Sequence, residues 1–138
     1  MAKTVQHVAF NCRDKAAQEK FYARHFGFER ARVFNADEPG EFVMLKLGDV
    51  RMELFQSQAG PDASGGPQPV GFKHLCFEVE DVDAKRRELL EAGVDIDRVI
   101  DCGDQVPGLK VCFFRDPEGN VVELMTGWRD EENPPQRD

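Results

Sequence analysis

Two stretches of the chain repeat one order of apolar and polar positions. His7-Val8-Ala9-Phe10-Asn11-Cys12-Arg13-Asp14 and His74-Leu75-Cys76-Phe77-Glu78-Val79-Glu80-Asp81 both read His, aliphatic, small, Phe, three variable residues, Asp. Each is a short alternating run with the period of a half-buried strand. Each stops at an Asp ahead of about a dozen helix-compatible residues. Asp14 and Asp81 are predicted N-caps, because a carboxylate there accepts from unpaired amides of the first turn. Gly27 and Gly93 are placed to end these helices, where a left-handed backbone is cheap only for glycine. Strands are predicted over 28–34, 42–47 and 50–56 in the first half and over 94–101, 109–115 and 120–126 in the second. Asp116-Pro117-Glu118-Gly119-Asn120 is a strong turn before the last of them. The final strands match as well, Arg51-Met52-Glu53-Leu54-Phe55 against Val121-Val122-Glu123-Leu124-Met125.

The chain thus contains two copies of a strand–helix–three-strand unit. One copy would leave a sheet face bare, so the copies must cover each other or a second chain. The expected organisation is a single domain over 1–128, with module one at 4–56, a linker at 57–70 and module two at 71–128. The linker holds three prolines and three glycines, which cannot continue a helix or a central strand. The polar tail, 129–138, carries Pro134-Pro135 and is expected to fray.

Composition narrows the function classes. The 138 residues are enough for one domain, and 41% hydrophobic content with 12 glycines is that of a globular chain. Eighteen basic against 26 acidic residues leave a net charge of −8, which argues against nucleic acid or an anionic membrane surface as the partner. No apolar run is long enough to span a bilayer. Met1-Ala2-Lys3-Thr4 lacks the apolar core of a signal peptide, so the expected location is the cytoplasm. Cys12, Cys76, Cys102 and Cys112 show no C-x-x-C spacing and are expected as reduced thiols, buried as small apolar residues.

Strand alternation then sorts the polar residues. Val8, Phe10 and Cys12 form an apolar set that can pack under a helix, which turns His7, Ala9 and Asn11 to the other face. In the second copy, His74, Cys76 and Glu78 lie opposite Leu75, Phe77 and Val79. Glu53 and Glu123 lie opposite the aliphatic flanks of their strands. A lone His or Glu in a strand is ordinarily structural, but here two imidazoles and two carboxylates occupy equivalent positions of a repeat. Two buried glutamates brought together would repel and lose solvation unless a positive charge sat between them. A divalent ion supplies it, and this donor set suits nickel, zinc, iron, manganese or cobalt. Asn11, Arg51 and Phe55 share the predicted face with Glu78 and Cys76. Arg51 is a candidate anchor for an anionic substrate and Cys76 a small liner of the cavity. His25, in the first helix, has no counterpart and is read as a surface residue.

These residues resemble the vicinal oxygen chelate superfamily, which includes glyoxalase I, methylmalonyl-CoA epimerase, extradiol dioxygenases and fosfomycin-resistance proteins. The resemblance covers about residues 5–126. It is carried by His7-Val8-Ala9-Phe10, Phe21-Tyr22 before Phe26-Gly27-Phe28, Met52-Glu53-Leu54, His74-Leu75-Cys76-Phe77 and, most specifically, Phe114-Arg115-Asp116-Pro117-Glu118-Gly119-Asn120-Val121-Val122-Glu123-Leu124. It implies an α+β fold in which two βαβββ modules form a cupped mixed sheet around one divalent metal. By position the implied ligands are His7, Glu53, His74 and Glu123, a set most like glyoxalase I, since epimerases usually have Gln where Glu53 stands. Asn11 and Ser57 replace the Arg and Asn that glyoxalase I usually carries four residues after its first and second ligands. The expected activity is a metal-dependent lyase or isomerase that shifts a proton next to a chelated carbonyl through an enediolate, without strict dependence on glutathione. Glu123 or Glu53 would be its base, and Asn11, Arg51, Phe55 and Cys76 would meet a small-molecule substrate. The alternatives are an epimerase of an acyl-CoA-like substrate, an Fe or Mn dioxygenase, and a non-catalytic drug-binding protein. Family members of this size also imply a homodimer.

Overall fold

The structure is a computed structural model, and it describes residues 1–57, 70–117 and 119–137. Its elements are β1 (Thr4–Cys12), α1 (Lys15–Phe26), β2 (Glu29–Phe34), β3 (Phe42–Leu47), β4 (Val50–Gln56), β5 (Gly71–Glu78), α2 (Val82–Glu91), β6 (Ile100–Asp101), β7 (Lys110–Arg115) and β8 (Val121–Thr126). The fold is α+β with a mixed sheet, and the βαβββ module occurs twice, as the repeat predicts. The predicted linker falls outside the described residues from 58 to 69, and Glu118 of the predicted turn does too.

Both helices start where the sequence places them. Asp14 accepts from Ala17 N–H at 3.0 Å and Asp81 from Ala84 N–H at 3.1 Å. Gly27 caps α1 with φ 82°, and α2 closes on Ala92 with Gly93 following at φ 87°. Within each module the first and last strands pair in parallel, β1 with β4 and β5 with β8, while β2–β3, β3–β4, β6–β7 and β7–β8 are antiparallel. A parallel pair needs a long crossover, which the helix and two intervening strands supply. The module strand orders are β2-β3-β4-β1 and β5-β8-β7-β6.

The chain divides into two compact units, Met1–His7 with His74–Arg129 and Val8–Lys73 with Asp130–Asp138. The division passes through β1, whose first residues lie beside β5: Lys3 N–H donates to Glu78 C=O at 2.8 Å. Each unit has its own apolar core. In one, Val79, Val82, Ile96, Cys112 and Leu124 pack with Phe77, Leu89, Val99 and Phe114. In the other, Cys12, Val43, Leu45 and Leu54 pack with Phe10, Phe28, Val33 and Met52. Leucine and valine burial of this kind contributes about 1.5–3 kcal/mol per side chain. Burial pushes the Cys112 thiol up to about 11, so it is a small apolar residue in chemical terms.

Two local departures have identifiable causes. The strand predicted over 94–101 shrinks to Ile100–Asp101 plus a single bridge between Ile96 and Phe114. Arg86 of α2 donates to the Asp97 carbonyl at 2.7 Å, occupying an acceptor that a ladder would need, and aspartates at 95 and 97 suit a strand poorly. In β2 the register shifts between Arg30 and Arg32, a bulge centred on Ala31. The Ala31 carbonyl accepts from Glu131 N–H at 2.7 Å. The segment expected to fray makes further bonds in this unit. Glu131 accepts from Val33 N–H at 3.1 Å, and Arg137 donates to buried Glu19 at 3.1 Å, which also binds Arg30. Among the described residues, no helix is long and apolar enough to cross a membrane.

Candidate metal centre

His7 sits mid-strand in β1, His74 in β5 and Glu123 in β8, all within one compact unit and all at most 5% exposed. Alternation turns each toward the same side as predicted, and the parallel β5–β8 register sets Cys76 directly beside Glu123. The result is a tight convergence. The two imidazole Nε2 atoms are 2.9 Å apart, and Glu123 Oε1 lies 3.2 Å from His7 Nε2 and 3.0 Å from His74 Nε2. The rings meet edge to face with centroids 5.1 Å apart, and Phe113 packs its edge on His74 at 5.8 Å.

Gln6 decides what His7 presents to this point. Its Oε1 accepts from His7 Nδ1–H at 2.5 Å, which leaves the Nε2 lone pair directed inward. A buried carboxylate and imidazole nitrogens aimed at one spot form the donor set that divalent transition metals prefer, with one negative charge to offset part of the ion's own. The residues therefore fit a single divalent cation.

The remaining predicted residues have definite places. Glu53 is buried on β4 of the other unit, in register with Ala9 and Met44. Asn11 is in register with Phe55, is 5% exposed, and has an Oδ1 without a hydrogen-bond partner. Phe55 stacks on Phe42 at 4.5 Å, Phe42 stacks on Phe34 at 4.5 Å, and Lys73 Nζ lies 4.8 Å from the Phe55 ring centre. Arg51 pairs with Asp130 through two bonds of 3.1 and 3.0 Å, and Lys46 joins the same carboxylate at 2.9 Å. The guanidinium face that would grip an anionic substrate is thus engaged by the chain's own tail. Ser57 is buried and its N–H donates to Cys12 C=O at 2.8 Å. His25 is exposed on α1, its ring centroid 5.0 Å from that of Phe21, as its surface reading predicts.

Sequence reasoning missed Gln6, Lys73 and Asp130. Alternation assigns Gln6 to the face opposite His7, and only its side-chain path brings the amide back to the ring. Gln6 is 1% exposed and its Nε2 has no partner, so its burial carries a cost of about 1–3 kcal/mol that the His7 contact only partly offsets. Gln6→Leu is accordingly expected to weaken divalent-ion affinity by roughly 10–100-fold. The metal-free protein should meanwhile be as stable as wild type or more so. Chelator competition and urea melts read the two effects separately; unchanged affinity would remove Gln6 from any orienting role.

YaeR, an uncharacterized protein of Escherichia coli K12, is 29% identical over 124 residues, covering 88% of this chain and 95% of its own. Glyoxalase I of Saccharomyces cerevisiae is 28% identical over 96% of this chain, which spans 47% of the yeast protein's length. Among solved structures, a Streptomyces coelicolor methylmalonyl-CoA epimerase in complex with 2-nitronate-propionyl-CoA superposes with a TM-score of 0.70, at 22% identity over 92% of this chain and 99% of that one. The profile of the Glyoxalase/Bleomycin resistance protein/Dioxygenase superfamily matches residues 4–124, and the chain belongs to that superfamily.

Proposed function

We propose that this protein is a divalent-metal-dependent enzyme that moves a proton at the carbon next to a substrate carbonyl, with epimerisation of an acyl-CoA-like thioester as its leading form. The observation that carries the reading is the convergence of His7 Nε2, His74 Nε2 and Glu123 Oε1 within 3.2 Å of one another at a buried point. Those three residues would hold the ion, with Glu53 as the fourth ligand by its matching position in the repeat. When bound, the ion supplies positive charge against substrate oxygens as the neighbouring proton leaves.

The chain's own residues do the rest. A carboxylate within reach of the carbon takes the proton, and Glu53 and Glu123 are the two candidates. Reversing a stereocentre requires the proton to return on the face opposite the one it left, which a pair of carboxylates can accomplish and a single one cannot without substrate rotation. Phe55, on its stack with Phe42 and Phe34, is a proposed substrate contact. Asn11, whose buried Oδ1 lacks a partner, would receive a substrate donor. The epimerase form is placed first because a methylmalonyl-CoA epimerase shares the fold over nearly the whole chain. Glyoxalase-type isomerisation of a hemithioacetal is the second reading, favoured by the yeast relative. The same proposal expects a homodimer in the cytoplasm.

Proton exchange tests it directly. The metal-loaded protein in deuterium oxide should incorporate deuterium next to the carbonyl of 2-methyl-branched acyl-CoA thioesters, with loss of their optical purity. Exchange confined to hemithioacetals would select the second reading, and no exchange with either class would overturn the proposal.

A further inference from the structure

We propose that Cys76 is a ligand for thiophilic ions at this centre, so that zinc or cobalt is bound through His7, Glu123 and the Cys76 thiolate, while harder ions such as manganese leave the sulfur out. The inference rests on the reading of the cluster as a metal site and adds the selectivity of that site. Three observations support it. Cys76 is the register partner of Glu123 in the parallel β5–β8 pair, so the two side chains rise from adjacent strands on one face. It stands two residues after His74 on the same strand, which puts both on that face. Its Sγ, a nitrogen of His7 and an oxygen of Glu123 all lie within 4.8 Å of one another, and all three residues are buried.

The other cysteines show what a merely structural thiol looks like here. Cys112 lies in register with Leu124 and belongs to the apolar cluster around Val82 and Ile96. Cys12 belongs to the core of the other unit. Cys76 is equally buried, but its Sγ lies within 4.8 Å of a His7 nitrogen and a Glu123 oxygen, with a long contact to the Phe77 carbonyl at 3.9 Å. On binding, the thiol proton passes to solvent and the sulfur donates its freed electron pair to the ion. A soft thiolate favours zinc and cobalt, whereas imidazole and carboxylate alone serve manganese about as well as such a site can. Cys76 therefore sets which ion the centre retains when several compete.

Cobalt(II) titration of the full chain, followed by absorption, tests this. The wild type is expected to bind one ion and show a near-ultraviolet sulfur-to-cobalt charge-transfer band beside the visible ligand-field bands. Cys76→Ser and Cys76→Ala should keep the visible bands and lose the charge-transfer band. Zinc affinity should fall by at least roughly tenfold, the loss that even an outer partner of a metal site produces, with manganese affinity unchanged. Cys102→Ser, which alters a half-exposed thiol, should leave the band intact. Visible bands in the wild type without charge transfer would overturn the role of Cys76 and leave the metal centre standing. No cobalt bound at all would overturn both.

Discussion

Glu123→Ala is expected to abolish retention of a divalent ion while leaving a folded chain. Glu123 touches both imidazoles, at 3.2 and 3.0 Å, and is the one formal negative charge in that triad. Losing a direct ligand should cost affinity on the order of a hundredfold or more, the upper end of what loss of an outer partner costs. Stability should respond differently. Removing one member of a buried ion pair usually costs about 3–5 kcal/mol because a charge is stranded. Here the residues left behind are imidazoles, which can be buried neutral, so no stranded charge remains. The variant's metal-free melt should therefore stay near that of wild type. Wild type should gain about 2.7 kcal/mol when the ion is present at a hundred times its dissociation constant, and the variant should gain nothing. Metal content after exhaustive dialysis and melts with and without ion measure both. Stoichiometric metal in Glu123→Ala would remove this residue from the centre, and deuterium exchange retained by the variant would remove it from the chemistry.

Gly127→Ala is the substitution expected to damage the fold most. Gly127 follows β8 with φ 87°, where an L side chain is strained, and an added Cβ would overlap the Gly108 carbonyl oxygen and lie 2.7 Å from its carbon. Both obstacles are backbone, so no rotamer change relieves the overlap. The left-handed conformation and the displacement together should cost about 2–4 kcal/mol. Gly48→Ala is the matched control: φ is 58° there, but nothing lies within 4 Å of the added carbon. It should cost about 1 kcal/mol from conformation alone. Urea denaturation of the two variants separates conformational strain from collision, and equal midpoints would show that the collision is absent.

How much of this was legible in one dimension follows from the range of each interaction. Periodicity and capping chemistry act within a few residues, so the repeat, the two helix starts at Asp14 and Asp81, and the side of the strand on which His7, His74 and Glu123 stand were all readable. Alternation is an intrinsic property of the extended backbone, and it survives folding unchanged. The shortened β6 was not readable, because the acceptor that would have extended it is taken by Arg86, a residue of the preceding helix. The fate of Arg51 was not readable either. Its partner Asp130 is distant in sequence and acidic like many exposed residues of this chain, and only the path of the tail brings the two together.

The site shows the same division. The sequence determined the residue types of the centre and their faces, since both depend on local pattern repeated in two modules. Tertiary structure decided the pairings: Cys76 beside Glu123 through a parallel register spanning a helix and two strands, and Gln6 on His7 through a side-chain path that alternation predicts to point away. Register and side-chain path are settled by packing over the whole unit, where many weak contacts select one arrangement among several that local rules allow equally.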